Sequence, residues 1–159
     1  MKRKAQAWSL DFITSMSIFL LVLVTLFFVW NYVNVQNMEQ KTLDEIETTA
    51  LAVSDSLIRT RGLPEDWNTT NVNIIGLAQE ENILDPEKVS YFISMGNNNY
   101  NLTKNILTGK YDFFFSITDL NGTNYGTIGS EPADRTIVPV ERYCSYKGRI
   151  VKVELALIG

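Results

Sequence analysis

The sequence is poor in the residues that most often carry out chemistry in proteins. Its 159 residues include no histidine and a single cysteine, Cys144. Histidine is the usual general base and metal ligand near neutral pH, so its absence removes the simplest catalytic and metal sites. One cysteine excludes an internal disulfide and any Cys-x-x-Cys motif, which leaves Cys144 as a core thiol or as half of a disulfide between subunits.

Glycine and proline are absent from the first 61 residues, and the first helix breaker is Gly62. Within this stretch residues 12–33 are almost wholly apolar, roughly 22 residues or about 33 Å of helix, which matches a bilayer core. A secretory signal has a shorter apolar run that ends in a cleavage site of small residues. This run ends instead near Trp30 and Tyr32, which are typical of a membrane interface. The sequence therefore predicts a transmembrane helix.

Basic residues are scarce beyond the first few positions. The chain has 14 lysines and arginines against 18 acidic residues, and Lys2, Arg3 and Lys4 account for three of the 14. By the positive-inside rule this cluster places residues 1–5 in the cytoplasm and the rest of the chain outside the membrane. Without the cluster the balance is 11 minus 18, or −7. Because so acidic a body repels phosphate backbones, we expect no nucleic-acid contact.

The helical pattern continues beyond the apolar run. An apolar stripe recurs in alternating steps of three and four residues, at Leu43, Ile46, Ala50, Val53 and Leu57. We expect one helix from about residue 8 to residue 61, with Gly62 as its C-cap. A coiled-coil stalk is the alternative, but a stripe of about two heptads favours packing against the chain's own head.

The remaining residues predict a head that contains both helices and a sheet. Asp85-Pro86-Glu87 is a strong helix start, and the helix it opens is expected to end at Gly96. Four strand-like segments follow, with hairpin turns at Asn121-Gly122 and Lys147-Gly148 and with Pro139 at a sheet edge or bulge. The predicted fold is therefore α+β, with a long N-terminal helix packed on short helices and an antiparallel sheet of about four strands.

No active-site motif is present in the sequence. It has no glycine-rich phosphate loop after a strand, no nucleophile elbow and no spacing typical of zinc ligands. Asp112 and Asp119 bracket an aromatic strand, where solvated edge positions explain them better than catalysis does. Trp67 is expected to pack over the end of the long helix. We therefore expect no enzymatic activity, no cofactor and no metal site.

Three Asn-x-Ser/Thr sequons begin at Asn68, Asn101 and Asn121. All three lie in segments that the sequence predicts to be loops or turns, where a glycan can be attached on an extracellular head. The alternative is that these asparagines are simply turn-forming polar residues.

One carboxylate, Asp11, stands at the entrance of the apolar run, where an unpaired acid is costly and usually functional. The stretch "KAQAWSLDF" around it resembles the class III signal peptides of archaeal type IV pilin-like proteins, whose usual pattern is Gln-x-Ser-x-Glu-Phe. The matching residue types are Gln6, Ser9, Asp11 and Phe12. One extra residue separates Gln6 from Ser9, Asp replaces Glu, and Ala5 stands where Gly is usual. The later segments "GLPEDW" and "ERYCSYKGRIVKVELAL" are also similar to the heads of such proteins.

The resemblance implies a route of processing and assembly. A membrane prepilin peptidase would cut the leader at Ala5–Gln6, with Gln6–Ala7 and Ala7–Trp8 as alternatives, and the apolar helix would stay on the mature protein. Asp11 would then pair with the new N-terminal amine of a neighbouring subunit in the filament core. The chain would be a structural or minor subunit of an archaeal type IV pilus-like surface filament, with other pilin subunits as its partners.

This route divides the chain into four parts and leaves two alternatives. The parts are a cleaved basic leader at 1–5, a transmembrane helix at 6–34, its amphipathic continuation at 35–62 and an extracytoplasmic head at 63–159. Helices in the filament would pack through small positions such as Ser15, Ser17 and Thr25. The alternatives are an uncleaved single-span membrane protein whose head binds a ligand or partner outside the cell, and an extracytoplasmic enzyme whose site leaves no motif.

Overall fold

The computed structural model describes residues 3–130 and 137–159, and for residues 3–9 and 36–40 it describes the backbone alone. Its helices are α1 Arg3–Arg59, α2 Pro86–Asn98 and α3 Tyr100–Leu107. Its strands are β1 Ala78–Glu80, β2 Ile83–Leu84, β3 Asp112–Asp119, β4 Asn124–Ile128, β5 Ile137–Tyr146 and β6 Arg149–Ile158. The chain divides into two compact units, Met1–Leu43 and Asp44–Gly159, called here the N-terminal unit and the C-terminal unit.

Helix α1 begins earlier and ends earlier than the sequence predicted. The expected range was about 8 to 61, whereas the helix runs Arg3–Arg59, a stretch without a single glycine or proline to interrupt it. Gly62 is therefore not its C-cap. It lies beyond the helix end with a φ of +80°, and a Cβ there would come within 2.7 Å of the Trp67 ring. Glycine is required at this position both by the backbone conformation and by the packing.

One face of α1 is buried within the C-terminal unit. Ile46, Ala50 and Leu57, from the predicted stripe, each expose at most 1% of their surface and belong to the hydrophobic core. Leu43 was predicted to begin this stripe, but it lies in the N-terminal unit and is 43% exposed. The buried face belongs to the core of the chain's own C-terminal unit, which is the packing that the sequence favoured over a coiled-coil stalk.

Among the described residues the sheet has six strands, in the order β1-β2-β5-β6-β3-β4. Strands β3 to β6 are the four that the sequence predicted, and they join as antiparallel pairs. Strands β1 and β2 were missed because, at three and two residues, they are too short to show an alternating pattern. Since β2 pairs with β5 in parallel, the sheet is mixed, and the expectation of an antiparallel sheet of about four strands is only partly met.

The two long strands β5 and β6 form a hairpin that the sequence predicted well. The apolar residues that alternate along β6 are all in the core, namely Val151, Val153, Leu155 and Leu157. Lys147 and Gly148, both with positive φ, form the tight turn between the strands. Within the described part of the chain β2 pairs with β5 only at Ser145 and Tyr146. On the side of β5 away from β6, Pro139 therefore has no partner among the described strands, which is a local edge position of the kind predicted.

The helical segments of the C-terminal unit pack on a single face of the sheet. The Phe92 ring of α2 meets the Phe115 ring of β3 edge to face, with the ring centroids 4.9 Å apart. On the same face, the Arg142 guanidinium of β5 donates a hydrogen bond of 3.1 Å to the Asp55 carboxylate of α1. The architecture is therefore two-layered, with the core between helices and sheet.

Helix α2 begins as the sequence predicted but ends later. The Asp85 carboxylate caps it by accepting hydrogen bonds from the backbone N–H groups of Glu87 and Lys88, at 2.9 and 3.4 Å. The predicted stop at Gly96 is wrong, because the helix continues past it. Gly96 instead allows α2 to approach β4, since a Cβ there would lie 2.5 Å from the Ile128 side chain.

Candidate functional site

The N-terminal unit contains a candidate transmembrane helix. Within the described residues, Leu10–Val35 is long and apolar enough to cross a membrane, with 26 residues and a mean hydropathy of 2.6. Its side chains are exposed along the whole segment, so the described part of the N-terminal unit does not bury this apolar surface. An apolar helix of this kind requires lipid or other helices around it.

Asp11 is the one charged residue of this segment and the second residue from its start. Its side chain is exposed. Because an α-helix rises only about 1.5 Å per residue, the carboxylate lies close to the boundary of the apolar segment. The free energy of placing a carboxylate in a membrane falls from about 2.5–3.5 kcal/mol at the centre towards the interface. Asp11 is therefore tolerable in a plain anchor and remains available to a partner at the membrane boundary.

The hydroxyl groups of the segment form hydrogen bonds within their own helix. Thr14, Ser17 and Thr25 each donate to the backbone carbonyl four residues earlier, over 2.8 to 2.9 Å. Donors satisfied in this way do not require acceptors from a neighbouring helix. Ser17 and Thr25 would therefore contribute to helix packing through their small size, because small side chains permit close approach of two helix backbones.

The predicted cleavage site lies in the first turns of α1. Ala5 and Gln6 fall within the helix, which begins at Arg3, but their side chains are outside the described residues. Met1 and Lys2 of the predicted leader are outside the described part altogether. Cleavage between Ala5 and Gln6 remains a prediction.

The three sequons occupy different positions in the C-terminal unit. Asn121 is exposed in the turn between β3 and β4. Asn68 is half-buried in the loop after α1, and its side-chain oxygen accepts hydrogen bonds from the backbone N–H and the hydroxyl of Thr70. Asn101 is exposed but belongs to α3, so its predicted loop position is wrong. Glycan attachment at these asparagines remains a prediction.

Asp119 is not the solvated edge residue that the sequence predicted. Its side chain is only 4% exposed, and its carboxylate accepts hydrogen bonds from the backbone N–H groups of Thr123 and Asn121, at 2.8 and 2.9 Å. These hydrogen bonds lower the pKa of the carboxyl and hold the turn between β3 and β4. Asp112, at the other end of β3, lies 2.8 Å from the Lys104 ammonium and is 38% exposed. Both carboxylates therefore have structural partners.

A polar cleft of about 450 Å³ lies in the C-terminal unit, beyond the end of α1. Its lining comes from the loop after α1, from β1 and from the start of α2, and includes Arg61, Glu65, Trp67, Gln79, Lys88 and Tyr91. We call it the Trp67 cleft. Asn68 also lines it, whereas the other sequons and Asp11 do not. Among the described residues no cluster of three acidic or sulfur ligands could hold a metal ion.

Trp67 connects two of the segments that form the walls of the cleft. It is 1% exposed, and its indole Nε1 donates to the carbonyl of Arg61 at 3.1 Å and to that of Gly76 at 2.9 Å. The Tyr91 and Trp67 rings form a T-shaped pair, with the ring centroids 6.3 Å apart. Trp67 thus joins the loop after α1 to the segment before β1, and its predicted place at the end of the long helix is confirmed.

Lys88 is the functional candidate that the sequence did not reveal. It is only 8% exposed, and its ammonium donates to the Arg61 carbonyl at 2.8 Å. Burial lowers the pKa of this ammonium, while the neighbouring Asp85 carboxylate acts in the opposite direction. An ammonium has three N–H donors, and the described residues supply one hydrogen-bond acceptor for it. Lys88 therefore lines the cleft with donor capacity to spare.

Cys144 is a core thiol, the first of the two alternatives left by the sequence. It is 4% exposed, and burial raises the pKa of its thiol from 9.0 to about 11. At pH 8 we expect iodoacetamide to alkylate Cys144 about a hundredfold more slowly in the folded chain than in urea, because the thiolate fraction is that much smaller. The ratio of the rate in urea to the rate in the folded chain should shrink as the pH rises from 9 towards 11. Above pH 9 the unfolded thiol is already mostly ionised, whereas the thiolate fraction of the folded chain still increases. Time-resolved mass spectrometry measures both rates, and equal rates would show an accessible thiol.

Comparison with protein-family models, curated protein sequences and solved structures gives no significant match. The features that bear on the function of the chain are therefore its own. These are a candidate transmembrane helix with one carboxylate at its start, an α+β C-terminal unit and a preformed polar cleft.

Proposed function

We propose that this protein is a structural or minor subunit of an archaeal type IV pilus-like surface filament, assembled through its apolar N-terminal helix after leader cleavage. The observation that carries the proposal is the exposed apolar segment Leu10–Val35 with a single carboxylate at its start. A long apolar N-terminal helix followed by a unit of helices and sheet is compatible with a pilin-like fold.

The physical argument starts from the uncovered apolar surface. Before assembly lipid would cover the segment, and in a filament the corresponding helices of neighbouring subunits would cover it. Only the second situation gives Asp11 a regular partner, because leader removal creates an amine close to it in sequence. The basic cluster Lys2–Lys4 keeps that end of the helix in the cytoplasm until the leader is cut.

The alternative is an uncleaved single-span membrane protein with an extracytoplasmic head that binds a ligand or partner. The Trp67 cleft favours this alternative, because a filament subunit does not need a polar cleft of this size. The two proposals share the membrane segment and the outward head, and they differ in whether the leader is removed.

The decisive experiment is to determine the N-terminus of the full chain produced in cells that contain an archaeal prepilin peptidase. We expect the mature protein to begin at Gln6, or at Ala7 or Trp8, and to lose the basic leader. The same cells with a catalytically inactive peptidase are the control and should yield the uncut chain. An intact Met1 in the presence of active peptidase would contradict the filament proposal and favour the uncleaved membrane protein.

A further inference from the structure

The Trp67 cleft is large enough to hold a small molecule, and contacts within the protein fix its walls without a ligand. Its volume of about 450 Å³ lies in the range of small-molecule sites. Its walls are tied to one another, because the Arg61 guanidinium donates to the backbone carbonyl of Gln79 at 3.0 Å and Trp67 joins Arg61 to Gly76. A ligand entering such a site does not have to order the walls, which favours binding.

The charges in the cleft argue against a charged ligand. Two cations and four carboxylates line it, namely Arg61, Lys88, Glu65, Asp66, Asp85 and Glu87. Because the four carboxylates outnumber the two basic groups, the lining repels an anion, whereas a cation would lie beside the Lys88 ammonium and the Arg61 guanidinium. Some of these charges are already engaged, since Asp85 caps α2 and Glu65 lies 3.4 Å from the Arg61 guanidinium. The lining therefore suits a neutral polar molecule.

The hydrogen-bonding groups that line the cleft narrow the class of ligand further. Lys88 brings spare donors, the carboxylates bring acceptors, and the exposed amide of Gln79 brings both. A neutral group that both donates and accepts at one atom is a hydroxyl. Tyr91 lines the same cleft and is 36% exposed, so its ring offers an apolar face to the C–H groups of a sugar ring.

We infer that the Trp67 cleft is a binding site for a neutral saccharide, held through its hydroxyls by Lys88 and Gln79 and packed against the Tyr91 ring. The site requires only the folded C-terminal unit, so it goes beyond the filament proposal and does not depend on it. A cleaved filament subunit would carry the site along the filament surface, and an uncleaved membrane protein would carry it at the cell surface.

The test is saturation-transfer NMR on the full chain in a polyoxyethylene detergent, because maltoside detergents carry a neutral saccharide themselves. The saccharide probes are maltotriose, mannotriose and diacetylchitobiose, each at about 10 mM, which would fill a site with a Kd of about 1 mM. Citrate and agmatine serve as the anionic and cationic probes. We expect transfer to at least one saccharide and to neither charged probe. Binding of a charged probe alone, or of no probe, overturns the inference.

Two variants locate the binding. Tyr91→Ala and Lys88→Met should each weaken saccharide affinity at least about tenfold. Lys88→Met leaves the Arg61 carbonyl with its hydrogen bond from Trp67, so the wall is expected to stay folded. Tyr143→Ala is the matched control, because Tyr143 is 60% exposed on β5 and does not line the cleft. Affinity that is unchanged in both cleft variants, with the fold confirmed by near-UV circular dichroism, overturns the site.

Discussion

Replacing Trp67 with alanine should destabilise the C-terminal unit by about 4 to 8 kcal/mol. Deleting a large buried aromatic side chain leaves a cavity that costs about 3–5 kcal/mol. The change also removes the hydrogen bond to the Gly76 carbonyl, and an unsatisfied buried acceptor adds about 1–3 kcal/mol. Pulse proteolysis of the full chain in increasing urea measures the effect. The urea midpoint should fall by about 3 to 5 M, given a urea dependence near 1.5 kcal/mol per M.

Two further variants separate packing from hydrogen bonding at this position. Trp67→Phe keeps most of the ring but loses Nε1, so we expect it to cost only about 1–3 kcal/mol. Tyr143→Ala removes a ring that is 60% exposed and should change the stability by no more than about 0.5 kcal/mol. If Trp67→Ala were as mild as Tyr143→Ala, Trp67 could not be what holds the loop after α1 to the rest of the unit.

The fold could be predicted where one residue pattern continues for several turns or pleats. In strand β6 the residues from Val151 to Leu155 alternate between apolar and polar, and the face that the strand buries was evident from the sequence. Strand β2 has two residues, and its pairing is with β5, about sixty positions along the chain. Such a pairing is set by long-range contacts and leaves no local trace.

Gly62 and Gly96 show the same limit of prediction from local sequence. Both Gly62 and Gly96 were interpreted as helix ends, because glycine commonly follows a helix terminus. In the structure each allows a close tertiary contact, Gly62 with Trp67 and Gly96 with Ile128. A missing side chain is equally suited to a cap and to close packing, and only the three-dimensional neighbours distinguish the two.

The candidate cleft was harder to predict than the fold. Lys88 and the Arg61 carbonyl are 27 positions apart, and neither belongs to a recognisable motif. Asp119, by contrast, could have been predicted as a turn residue, because aspartate placed just before an Asn-Gly turn often accepts backbone hydrogen bonds there. The sequence revealed Asp11 because a single charge in an apolar run is conspicuous without any knowledge of the fold.

Replacing Asp11 with alanine should leave membrane insertion intact and reduce filament assembly at least about tenfold. Insertion should become no less favourable, because the change removes the one charge in the apolar segment. Assembly should fail if the carboxylate of one subunit pairs with the N-terminal amine of the next, since the amine would then be buried without a counter-charge. Alkaline extraction of membranes measures insertion, and electron microscopy of sheared cell-surface material measures filaments.

Three matched variants identify which property of Asp11 matters. Asp11→Glu keeps the charge and should assemble, whereas Asp11→Asn keeps the size and should fail as alanine does. Ser15→Ala lies one turn away at a predicted helix-packing position, and because alanine is also small this variant should assemble normally. Filaments of normal number with Asp11→Ala would exclude the pairing role of Asp11. The filament proposal itself would then be decided by whether the mature chain begins at Gln6, Ala7 or Trp8. Loss of the Asp11→Ala chain from the membrane fraction would instead assign Asp11 to insertion, a role that a carboxylate so close to the membrane boundary is also placed to fulfil.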